Sequence, residues 1–167
     1  MKVYLVKRLS LLGLVVCCLQ MGSVHAAKVS GNLEAFNKRL DRPENKTRLN
    51  DIYINLIGRH SEEAPGVVAA YDTALLFETE GLIKGIFPDI SPAALQKAAD
   101  MRDLLISFET YKFQQFSGDM QLAFIAIVNK LAKLKEASFD KNASAKMKQL
   151  KALSKKLNAM TIVEPVD

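Results

Sequence analysis

The sequence predicts an all-α fold, an antiparallel helical bundle of about four main helices plus one or two short N-terminal helices. Three observations lead there. Apolar residues recur at spacings of three and four through nearly all of the chain beyond residue 26, and no stretch alternates apolar with polar as a half-buried strand does. Helix-starting and helix-stopping residues, among them Pro43, Pro65, Pro88, Pro92 and Gly118, fall between those periodic stretches. No repeat, low-complexity block or Pro/Gly-rich linker divides residues 27–167, which read as a single helical domain with a short C-terminal tail.

The elements follow in order. Asn32 is placed to cap a short helix carrying Leu33, Phe36 and Leu40, which ends before Pro43. Asn45 or Thr47 opens a second, with Leu49, Ile52, Tyr53, Leu56 and Ile57 on one side and Gly58 near its end. Ser61 to Pro65 signals the next start, with Glu62 and Glu63 in a first turn where carboxylates suit the helix dipole. That helix carries Val68, Tyr71, Leu75, Leu82 and Ile86 on one stripe. Val67, Leu76 and Phe77 lie elsewhere on the cylinder, so its first half is apolar nearly all round and is expected at the centre of the bundle. Gly81 and Gly85 weaken its second half and Pro88 stops it.

Ser91-Pro92 is a cap residue followed by proline at the first helical position. Leu95, Ala98, Met101, Leu105 and Phe108 mark the face of the helix it opens, which Phe113 and Phe116 extend. Ser117-Gly118-Asp119 makes a turn and a new cap. Leu122 to Val128 then begins a second very apolar helix, running on through Leu131 and Leu134, and this helix and the one from Val67 are expected to be the most buried pair. Ser138 to Asn142 reads as a loop. A last helix places Leu150, Leu153, Leu157 and Met160 on one side and Lys148, Lys151, Lys155 and Lys156 on the rest, before an extended tail from Thr161 to Asp167.

The first 26 residues carry an address. Lys2, Lys7 and Arg8 precede an apolar run from Leu9 to Leu19, and Val24-His25-Ala26 suits signal peptidase, so residues 1–26 read as a cleaved export signal peptide and the product as periplasmic or secreted. The run is short for a bilayer span. Cys17 and Cys18 both lie within it, and Val16 before Cys17 makes a poor lipid-attachment box. Residues 27–167 therefore hold no cysteine, and packing alone must stabilise them.

Removing the signal leaves 20 Lys+Arg against 18 Asp+Glu. The distribution is uneven: residues 27–129 carry 11 basic and 14 acidic side chains, while residues 130–167 carry 9 against 4, and all nine are lysine. A domain this close to neutrality lacks the large coherent basic footprint that nucleic acid rewards. The partners in keeping with it are an envelope or secreted protein, or an anionic membrane surface.

Chemistry-bearing motifs are scarce. There is no phosphate-binding glycine loop, no Gly-x-Ser-x-Gly elbow, no His-Glu-x-x-His and no calcium loop, and the expectation is no cofactor, no metal and no assigned catalytic residue. His60 is the one histidine after residue 26, at a helix end where such a side chain caps carbonyls or faces water. With Glu63 it has the spacing of two ligands on one turn, but a metal would need more from another helix. Cell-wall-acting helical enzymes rely on one glutamate followed by serine, whereas Glu34, Glu78, Glu80 and Glu109 precede Ala35, Thr79, Gly81 and Thr110.

Asp72 stands out, because it falls within the apolar stripe of Val68, Tyr71 and Leu75. A carboxylate there must find a partner, such as Arg102 or another arginine, or serve as a polar group inside a ligand cavity. Two functional expectations follow. The first is a non-catalytic exported bundle that binds a protein or surface through Lys148, Lys151, Lys155 and Lys156. The second is a bundle holding a small apolar ligand between its helices, with Asp72, Tyr71 and Tyr111 as polar contacts.

Overall fold

Three residues separate Ser61 from Pro65, which leaves the helices on either side no choice but to fold back on one another. The computed structural model of the protein describes residues 32–135 and 141–162. Within them α1 covers 32–40, α2 Pro43–Ser61, α3 Pro65–Ile86, α4 Pro92–Leu95, α5 Lys97–Ile106, α6 Thr110–Gln114, α7 Gly118–Leu131 and α8 Lys141–Asn158. No strand occurs among the described residues, and the protein is an all-α helical bundle. Residues 1–26, expected to be an export signal, with the expected cleavage point and the tail beyond Ile162, lie outside the described residues, as do Ser138 to Asp140 of the expected loop.

Helices α2 and α3 form an antiparallel pair. Proline occupies the first turn of each, where its missing N–H is no loss. Glycines set how closely the two approach: a Cβ at Gly58 would strike the ring of Tyr71, one at Gly81 the guanidinium of Arg48, and one at Gly85 the amide of Asn45. These glycines are contact points across the pair, and Gly58 lies in the last turn of α2. Asn45 is likewise no cap: it is buried, and its Nδ2 donates to the Arg39 carbonyl at 2.8 Å, tying α1 to α2. Arg39 in turn donates to the carbonyl of Ile86, the last residue of α3. Asn32 is turned outward to donate to Asp119 at 2.8 Å instead of capping its own helix.

Helix α7 is the centre of the bundle. Every residue from Met120 to Val128 is buried, as the unbroken apolar run predicts. Ser117 caps it through the Met120 N–H, and Ser91 caps α4 through the Ala94 N–H at 3.2 Å. Helix α7 packs on α8 and α2 while α5 packs on α3, and one core takes in Leu49, Ile52 and Leu56 of α2, Met101, Leu104 and Leu105 of α5, and Met147, Leu150 and Leu157 of α8. Phe108, Phe113 and Phe124 meet as a trio with ring centroids 5.7–6.1 Å apart. Asn129 near the end of α7 bonds both Ser154 and Asn158, so the C-terminal ends of α7 and α8 lie together.

Several expected boundaries are corrected. The helix opened by Ser91 breaks at Gln96, ends at Ile106 and resumes as α6; Phe108, Phe113 and Phe116 all reach the same core, but no single helix carries them. Helix α7 stops at Leu131, leaving Leu134 in a turn against the core, and α8 begins at Lys141, ahead of the expected loop end. Glu62 and Glu63 precede α3 rather than entering it. The Glu62 carboxylate accepts from the Glu63 and Ala64 N–H groups and closes the link between α2 and α3. The larger correction concerns α3 itself. Its buried residues begin only at Leu75, and Gly66, Val67, Ala69, Ala70, Thr73 and Phe77 face outward.

Candidate functional site

Helix α8 carries six lysines and no carboxylate in 18 residues. Ala143, Met147, Leu150 and Leu157 spend one side of it on the core, which dictates where the remaining side chains point. Lys148, Lys151 and Lys155 fall on the exposed side within about one-quarter of the helix circumference, and Lys141 one turn-pair earlier continues the row. Four lysines elsewhere are paired, whereas Lys46, Lys84, Lys133 and Lys135 have no carboxylate partner among the described residues. Lys38 meets Glu34 at 2.8 Å, Lys97 meets Asp100 at 3.0 Å, Lys112 meets Glu109 at 2.7 Å and Lys130 meets Asp41 at 2.7 Å. The last contact, with further attraction from Lys46 and Lys133, holds the Asp41 carboxyl below its usual value. Among the described residues Lys148, Lys151 and Lys155 have no such partner.

Lys156 differs from the other three. It is exposed, but its ammonium sits 4.8 Å from the centre of the Phe108 ring and 3.3 Å from Thr110 Oγ1, so it braces α8 against the α5–α6 connection. Lys146 differs more. Only 5% of it is exposed, and its Nζ donates to the carbonyls of Leu105 and Ile106 at 3.2 and 3.3 Å, covering the C-terminal end of α5. Burial pushes this lysine down to about 8, and the positive charge of Arg59 pushes in the same direction. Composition hides Lys146 among its neighbours. Its position does not: it lies three residues after buried Ala143 and four before buried Leu150, on the inward face.

Asp72 is placed at the same junction. Its carboxylate accepts from Arg59 Nε at 2.5 Å, with both side chains about one-third exposed. The arginine is thus Arg59 of α2, while Arg102 reaches its own neighbour Asp103 at 2.7 Å. Tyr71 lies half-buried with its ring over Gly58. Tyr111 is 73% exposed on α6. The structure therefore brings Asp72 and Tyr71 to the α2–α3 contact and leaves Tyr111 apart on the surface.

A cleft of about 390 Å³ opens between Arg39, the Phe87–Ser91 turn and the start of α7, and a groove of about 260 Å³ lies over Leu40, Leu49 and Leu134 with Lys46, Lys130 and Lys133 at its rim. Tyr71, Asp72 and Tyr111 line neither. His60 is exposed in the last turn of α2, and among the described residues no three His, Cys, Asp or Glu side chains gather as metal ligands. Among those residues, too, no helix is long and apolar enough to cross a membrane. In comparisons with protein-family models, curated proteins and solved structures, no match to this chain is found.

Proposed function

We propose that this chain is an exported, non-catalytic binding protein whose α8 lysine row docks on an acidic protein surface of the bacterial envelope. The observation that carries the reading is that Lys148, Lys151 and Lys155 line one exposed side of a helix that holds no carboxylate, with no carboxylate partner among the described residues. Like charges in a row repel one another, so an external counter-charge is their natural complement. The export-type pattern at residues 1–26 supports an envelope setting. Helix α8 has no aromatic residue to insert among lipids, which favours a protein over a bilayer as the acidic surface.

The test compares wild type with K148E/K151E/K155E, leaving Lys156 in place for its contact with Phe108. Capture of acidic envelope proteins by wild type should fall with rising salt and be lost in the folded variant. Capture that is indifferent to the triple reversal overturns the reading. Binding to phosphatidylglycerol vesicles in place of protein would transfer the role to a lipid surface.

A further inference from the structure

Helix α3 is apolar nearly all round in its first half, yet the bundle covers only one side of it. Phe77 is 66% exposed and Val67 43%. Gly66, Ala70, Thr73 and Phe77 follow one another at spacings of four, three and four, and all are exposed. That is the spacing of a seam between two helices. An aromatic side chain left two-thirds in water on such a seam is a contact surface rather than a scattered apolar residue.

The two ends of the stripe identify what fits it. Lys84 is exposed beyond its C-terminal end, and Glu63 is exposed before its N-terminal end. Neither side chain has a partner among the described residues. Between Gly66 and Phe77 the exposed positions of the stripe carry no charge and Asp72 is turned aside to Arg59, while Glu80, half-buried, is the one carboxylate on the stripe, one turn before Lys84. Placed against a second copy running the other way, the stripe complements itself: with Phe77 on Ala70, the exposed small residue best able to receive a ring, Lys84 comes to the start of the second copy's α3, within side-chain reach of Glu63 in the link before it. The same register puts Thr73 beside Ala74 at the two-fold axis, and the exposed small residues Gly66, Ala70 and Thr73 let the backbones approach. Each contact occurs twice, as an isologous interface requires.

We infer that two copies of this chain associate through the outer face of α3, antiparallel, with Phe77 seated over Ala70 and Lys84 paired to Glu63 across the interface. One pair of helices about 27 Å long lies at the small end of specific interfaces, so the dimer forms at roughly micromolar concentration or above. The face is distinct from the α8 lysine row, and dimerisation doubles the number of rows a partner meets.

Sedimentation velocity of the full exported chain across a range of roughly 1 to 200 µM tests this. Wild type should pass from monomer to dimer. F77E, at a position too exposed to disturb the core, should weaken the dimer by about tenfold or more, as loss of a central aromatic anchor does. K84E and E63K should each weaken it, and the double swap K84E/E63K should restore it. A wild type that stays monomeric throughout overturns the inference. So does a dimer indifferent to F77E, or one that the double swap fails to restore.

Discussion

Lys146 of α8 holds its ammonium 3.2 Å from the carbonyl oxygen of Leu105 in the last turn of α5, in a setting that leaves it almost no water. The carbonyls at a helix end are partial negative charges, and they substitute for the carboxylate that a buried lysine ordinarily finds. The substitution is incomplete, since burial lowers the lysine from 10.5 to about 8. A neutral amine still donates to both carbonyls, so deprotonation relieves the desolvation without breaking the contact.

The sign of the pH dependence follows. Between about 8 and 10.5 the unfolded chain keeps the proton on Lys146 while the folded chain has released it, so stability gains from this residue as pH rises through that window. Below pH 8 charging it in place costs roughly 3 kcal/mol, at about 1.4 kcal/mol for each unit. The stability difference between wild type and K146M, from chemical denaturation at several pH values, should move in favour of wild type from pH 8 to 10. A difference that is flat with pH would mean that Lys146 is solvated in solution.

Gly81 and Gly85 both face α2, but they should respond differently to alanine. Alanine adds up to about 1 kcal/mol of helix propensity at either position. At Gly81 the new methyl meets the far end of Arg48, a flexible side chain that can swing away at the expense of its 2.9 Å contact with Glu78. At Gly85 it meets Asn45, which is 1% exposed and fixed by its bond to Arg39. G85A should therefore lower stability by about 1–3 kcal/mol, the scale of a displaced buried hydrogen bond, while G81A stays near neutral. Thermal melts showing the reverse order would contradict this packing.

Much of the fold could be read directly from the residues, and the failures share a physical origin. Met120 to Val128 has no charged residue, so only a fully surrounded helix suits it, and α7 is one. Ser91 and Ser117 announce caps because each precedes a helix-compatible run by one residue. The same reasoning places all of α3 at the centre, and there it fails. A helix apolar all round needs burial, but the sequence does not say whether its own chain supplies the cover, and α3 buries residues only from Leu75 onward. Glycines at 58, 81 and 85 look like helix weakeners until the side chains opposite them are known. Of the candidate site residues, Lys148, Lys151 and Lys155 are exposed because leucines spaced for the core leave them no other side, whereas the partner of Asp72 depends on a tertiary contact 13 residues away that periodicity does not encode.

Ile125, at 4% exposure in the middle of α7, tests the core directly. I125D places a carboxylate in the hydrophobic core. The expected loss is on the order of 3–5 kcal/mol, the scale of an uncompensated buried charge, and part of it should return at acidic pH as the aspartate protonates. Wild-type melting by this variant would remove α7 from the core.

Asp72 and Lys146 do not touch, yet Arg59 connects them. Asp72 pairs with Arg59, and Arg59 is a positive charge that makes protonation of Lys146 harder. Removing the carboxylate therefore has two consequences of different size. Stability should change little, by about 1 kcal/mol or less, because the Arg59–Asp72 pair is about one-third exposed and solvent screens it. The titration of Lys146 should shift further below 8, because Arg59 loses the charge that offsets its own. NMR titration of the Lys146 side chain in wild type and D72N measures this, with R59M as the opposite arm, expected to raise the lysine. If D72N leaves the titration unmoved while R59M raises it, Asp72 does not neutralise Arg59 in solution. If neither variant moves it, the three residues are not coupled and burial alone sets the charge of Lys146.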